Sequence, residues 1–93
     1  MIVKPIECAI ATYIAEHVML RKNGYPYSVN ASLLDREIVD PVNILELVMF
    51  VEEHFGLNVE EDELNAQNFD SVAGIARYVQ QKQRNKDWLA GEG

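Results

Sequence analysis

Residues 40 to 55 read DPVNILELVMFVEEHF, and the fold turns on how this stretch is read. Asp40 is placed to cap orphan N–H groups with its carboxylate, and Pro41 suits the first helical position because its fixed φ is already helical. Gly56, directly after Phe55, fits the residue that closes a helix in the left-handed region. Ile44, Leu45, Leu47, Val48, Val51 and Phe55 are apolar around much of the cylinder, so the helix is expected to lie against several neighbours at the centre of the molecule. Glu46, Glu52 and Glu53 mark the part left for solvent. Val42, Glu46, Met49 and Glu53 follow one another at helical spacings and share one face.

Upstream, Ile6, Ile10, Tyr13, Ile14 and Val18 recur every three or four residues, which predicts a helix over about residues 3 to 21 with Pro5 in its first turn. Gly24, Pro26, Asn30 and Ser32 then interrupt any period, leaving a long loop over 23 to 39. Loops of that length in compact domains are functional or pinned by apolar side chains, and Leu33, Leu34, Ile38 and Val39 are the candidate pins. Downstream, Leu57 and Val59 alternate with polar residues, but no second strand is available to pair with them, so they read as plugs into the core. EEDELN (60 to 65) is acidic at its start and short, which predicts a helical turn or two. A last helix begins around Asp70-Ser71, with Val72, Ile75, Ala76 and Val79 on its buried face. From Gln80 the chain turns polar. The expected organisation is a four-helix, all-α domain over residues 1–82 and a polar tail over 83–93, in which Trp88 either packs back or stands as an exposed aromatic.

With 93 residues, 48% of them hydrophobic, the chain supports one core. The single cysteine, Cys8, has no internal disulfide partner, and its neighbours Ala9 and Ile10 predict a buried thiol. No apolar run approaches the roughly 20 residues of a membrane span, and Lys4, Glu7 and Glu16 interrupt the N-terminal segment where a signal peptide would be apolar. A cytoplasmic protein is expected. Residues 35 to 70 hold eleven acids and one base, Arg36, for a net charge of -10 against -7 for the whole chain. This belt would repel nucleic acid and steer a partner carrying a Lys/Arg patch towards it, unless it serves solubility alone.

Two segments carry a family resemblance. ELVMFVEEHFGLNV (46 to 59) resembles, without a gap, the E-L-V-x-x-(L/V)-E-E-x-F-x-(I/L)-x-(I/V) pattern of the acyl carrier proteins, and NFDSVAGIARYV (68 to 79) looks like that family's entry into its last helix. The resemblance covers residues 33 to 80 and implies a four-helix acyl-carrier-protein-like bundle with a long first loop and a short third helix. The family joins 4'-phosphopantetheine to the serine of an Asp-Ser-Leu tripeptide, where this chain reads Asp40-Pro41-Val42. Proline has no hydroxyl to esterify, so no covalent cofactor is expected. Glu37 likewise stands where many members have glycine. By the same resemblance, Asp40, Val42, Glu46, Met49 and Glu53 would form the surface that meets basic patches on carrier-using enzymes, a synthase, ligase or transferase; the plainer reading makes Val42 and Met49 core residues. The function implied is a monomeric, non-loading carrier homologue in fatty acid, polyketide or aminoacyl biosynthesis. The alternatives are a working carrier lineage in which Pro41 is a variant, and a module that binds acyl chains noncovalently.

Other chemistry is thin. Asp70-Ser71-Val72 imitates the missing tripeptide, but its helix carries Arg77, Lys82 and Arg84 instead of glutamates, so Ser71 reads as a helix cap. His17 and His54 stand on separate helices without metal-ligand spacing, and no metal site is expected. Glu52/Glu53 and Glu60/Glu61 lie in polar runs where nothing would raise a carboxyl pKa for acid catalysis, and no Gly-rich phosphate loop is present. No enzymatic activity and no catalytic residue is expected.

Overall fold

Ile6, Ile10 and Ile14 fall on one buried helix face, in a chain whose computed structural model describes the backbone of residues 3–92 and the side chains of residues 5–84. The first helix, α1, spans Val3–Tyr13 and widens into a π-helical turn over Ile14–Val18. There the Met19 N–H donates to the Ile14 carbonyl at 2.9 Å and the Arg21 N–H to the Ala15 carbonyl at 2.7 Å. Leu20, at φ 57°, takes the backbone into the left-handed region, so helical backbone stops at Val18 and not near residue 21. Cys8 is exposed, against the expectation of a buried thiol. The apolar residues beside it in sequence misled: two positions from both Ile6 and Ile10, it lies roughly 200° around the helix from each.

Leu33, Ile38 and Val39 pin the long loop as expected, each buried, whereas Leu34 is 40% exposed. A tight turn separates them: the Glu37 N–H donates to the Leu34 carbonyl at 3.0 Å and the Ile38 N–H to the Leu33 carbonyl at 2.9 Å. Closing that turn holds Glu37 at φ 56°, in the left-handed region. Asp70 ties the loop down from across the molecule. Its carbonyl accepts from the Leu33 N–H at 2.7 Å, and its carboxylate accepts from the Ser32 hydroxyl at 2.7 Å and the Leu34 N–H at 3.1 Å.

Helix α2 runs Pro41–Phe55, with the ends that the residues dictate. The Asp40 carboxylate accepts from the Asn43 N–H at 2.8 Å. Gly56 closes the helix at φ 64°, and the Leu57 N–H reaches back to the Glu52 carbonyl at 3.1 Å. The expected central position is not found. Leu47 and Val51 are the residues of α2 that bury fully, and the closest helix pairing is between α1 and the last helix. The reason lies in α2's own surface: Val42 is 70%, Leu45 57% and Met49 58% exposed, so its apolar breadth does not all face protein.

After α2, Leu57 and Val59 are half-buried against the core as plugs. A 3-10 turn at Glu61–Glu63 is closed by a capping box between Glu60 and Glu63. A separate four-residue helix, α3, follows at Ala66–Phe69, capped by the Asn65 carboxamide; the sequence reading placed the short helix in 60 to 65 and did not separate this turn from it. Helix α4, Val72–Glu92, starts where Ser71 accepts from the Gly74 N–H at 2.9 Å, the capping role read for it. It buries Val72, Ala73, Ile75, Ala76, Tyr78 and Val79 and is the true centre of the core. Its backbone continues as helix through the polar segment read as a tail, and the Trp88 side chain lies outside the described residues. The architecture is all-α, with no strand among the described residues and no helix there long and apolar enough to cross a membrane.

Candidate docking face and the groove beside it

Proline at 41 satisfies the helix start twice over: it needs no N–H partner, and it leaves the Asp40 carboxylate free to bond Asn43. It brings no nucleophile. From this start α2 presents Val42, Leu45, Glu46, Met49 and Glu53 outward, all exposed. Asp40 is exposed beside them. The reading of Val42 and Met49 as core residues therefore does not hold. Leu45 was missed as part of this surface because its apolar side chain was assigned to the core; three residues after Val42 and four before Met49, it had the spacing to be found. The result is an apolar stripe bordered by carboxylates. Glu46 accepts from the Asn43 side-chain amide at 3.3 Å, and among the described residues no cation pairs with Glu46 or Glu53.

Beside this stripe α1 and α2 meet through four rings. Tyr13 stacks on Phe50 at 4.2 Å between centroids and 17° between planes; His17 stacks on Tyr13 at 5.0 Å, and His54 on Phe50 at 4.9 Å. The two histidines, on separate stretches of sequence and without metal-ligand spacing, thus end one ladder. Sequence offered a partial signal, since each lies four residues beyond a ring on its own helix. A groove of about 400 Å³ opens along the ladder, lined by Tyr13, His17, Glu46, Met49, Phe50 and Glu53. Burial, and next the Glu46 carboxylate, push the Tyr13 hydroxyl above its ordinary pKa, so the phenol stays neutral. A more apolar hollow of about 500 Å³, in which Cys8 and Thr12 take part, lies at the other edge of the ladder. A third, of about 180 Å³, sits under Leu34 between Ile44, Leu64 and Phe69.

Two further polar side chains serve the structure. Ser71 caps α4, and Glu63 accepts from the Tyr78 hydroxyl at 2.8 Å and from Lys82 at 3.1 Å. Among the described residues no three metal-ligating side chains converge. Searched against models of known protein families, the chain matches none, and no curated protein sequence matches it.

Proposed function

We propose that this chain is an acyl-carrier-protein homologue that docks on carrier-using enzymes through α2 and does not load 4'-phosphopantetheine. The observation that carries the reading is the exposed stripe of Val42, Leu45 and Met49 set between Glu46 and Glu53, directly after a helix start with proline in the serine's place. Solvent-facing apolar residues flanked by carboxylates that pair with no cation among the described residues suit a basic partner with an apolar contact at its centre. The acidic belt over residues 35 to 70 would add long-range attraction at low salt. A promiscuous phosphopantetheinyl transferase with coenzyme A supplies the test. The unmodified chain should bind the transferase and gain no mass, Pro41→Ser should gain the mass of the arm, and Val42→Asp should lose binding. Mass gain by the unmodified chain, or no binding at all, would overturn the proposal.

A second reading, noncovalent acyl binding, is favoured by the hollow under Leu34, whose walls Ile44, Leu64 and Phe69 are apolar. At about 180 Å³ it is smaller than the roughly 300 Å³ at which small-molecule sites begin, so it would take a short chain end at most. Titration with a medium-chain fatty acid, following the Ile44 and Leu64 methyl resonances, distinguishes the two readings; unmoved methyls remove this one.

A further inference from the structure

We propose that the turn Leu20-Arg21-Lys22, at the end of α1, is the second half of the docking face: it fits an apolar socket rimmed by carboxylates on the partner, and so fixes which way round the partner sits on α2. The proposal rests on the docking reading above. Leu20 is 81% exposed, more than Val42 on the stripe itself, and its backbone stands at φ 57°. Glycine is the ordinary residue in that conformation at a helix end. The Arg21 N–H closes the turn onto the Ala15 carbonyl at 2.7 Å, a backbone bond that glycine at position 20 would serve with less strain. Leucine there gives the fold neither burial nor a relaxed backbone, so stability does not account for it. Arg21 and Lys22 are exposed as well, and neither pairs with a carboxylate among the described residues.

The contacts of α1 with α2 put this turn at the start of the stripe. Pro5 and Cys8 share a hollow with Phe50 and His54, Tyr13 stacks on Phe50, and His17 shares a groove with Glu46, so the two helices run antiparallel. Leu20 lies about one turn beyond His17 and Val42 about one turn before Glu46, which brings both to the same end of the pair. The occupant follows from the charges. A wholly basic surface would answer Glu46 and Glu53 but be repelled at Arg21 and Lys22, whereas carboxylates around an apolar socket answer both bases and Leu20. An acidic helix alone admits a basic surface in either direction; an acidic stripe that ends in two cations favours one of them. An anionic lipid surface would also attract the turn, but two bases are few to hold a chain of net charge -7 against it.

The phosphopantetheinyl transferase serves as the probe, with binding and thermal midpoint read on each variant. Leu20→Gly should raise the midpoint by relieving the backbone, and should weaken transferase binding about tenfold by removing the side chain. Loss of fold would not produce that pair of opposite shifts. Arg21→Glu/Lys22→Glu should weaken binding about three- to tenfold, whereas a partner that is basic at this end would bind it more tightly. Binding unchanged in Leu20→Gly, a lowered midpoint there, or unchanged or tighter binding in the charge reversal would overturn the assignment. So would binding of the unmodified chain, but not of Leu20→Gly, to phosphatidylserine-containing vesicles, which would give the turn to a lipid surface. Failure of the docking reading looks different. There the transferase binds neither the unmodified chain nor any variant, whereas binding that Val42→Asp abolishes and Leu20→Gly leaves intact sinks the role of the turn alone.

Discussion

Pro41 and Glu37 are opposite cases of how a residue type meets the backbone conformation it is given. At Pro41 the ring is good for the helix and mute for chemistry, so Pro41→Ser exchanges a pre-set φ for a hydroxyl. The expected cost is below about 1 kcal/mol, because the unfolded chain gains freedom and no packing is lost at this exposed site. Urea denaturation checks it, and a larger loss would mean that Pro41 has contacts beyond its ring's own geometry. Glu37 is the opposite case, a side chain held at φ 56°. The left-handed region costs an ordinary residue roughly 1–2 kcal/mol, and glycine avoids most of that while giving back some as unfolded-state entropy. Glu37→Gly should therefore stabilise the fold by about 0.5–1 kcal/mol, visible as a rise of a few degrees in the thermal midpoint. A fall would show that the Glu37 carboxylate or its turn is worth more than the strain.

Helices and loops differ in how well their residues announced them, and the difference follows from range. The ends of α2 and the start of α4 were legible because Asp40, Gly56 and Ser71 act on backbone groups within a few residues of themselves. The π-helical turn at Ile14–Val18 was not, since it extends an unbroken apolar period and no glycine or proline marks it. Which helix lies at the centre was misread for a related reason: the apolar breadth of α2 was counted as buried area, whereas Val42, Leu45 and Met49 face solvent. Pattern gives the period of a face and not what covers it. The clasp of the long loop is the least local feature, joining Ser32 and Leu34 to Asp70 across 38 and 36 residues of chain. It sets an order between two caps. Asp40→Ala removes one exposed cap and should cost about 1 kcal/mol. Asp70→Ala removes a carboxylate that accepts twice at a half-buried corner and should cost about 2 kcal/mol, also loosening the loop. Urea midpoints rank the two, and hydrogen exchange at the Leu34 N–H reports the loop; equal midpoints would deny the clasp its role.

Over the whole molecule the charge is lopsided, and that sets how the fold should answer to salt and acid. Eleven acids face one base between residues 35 and 70, while the single ion pair among the described residues, Lys82 with Glu63, is partly exposed. An exposed pair of this kind is worth at most about 1 kcal/mol, so screening removes more repulsion than attraction. Added sodium chloride at neutral pH should raise the thermal midpoint; a drop would mean that attractive pairs dominate the belt. Acid works through Glu63. Burial pushes its carboxyl up, but hydrogen bonds from the Glu60 N–H, Tyr78 and Lys82, with the Lys82 charge, outweigh that and hold it below the ordinary 4.5. A carboxyl lowered in the folded state contributes stability that is present above its unfolded value and lost as pH falls through the folded one. Tyr78 runs the other way: burial, then its bond to Glu63, raises it above 10.0, so its contribution is whole below that value and lost as pH climbs past it. Acid should therefore destabilise the chain as Glu63 takes its proton, and strong base as Tyr78 loses its own. Glu63→Gln should flatten the acid limb and lower the midpoint at pH 7, and Tyr78→Phe should blunt the alkaline limb. If Glu63→Gln kept the full acid limb, the acid loss would not come from Glu63.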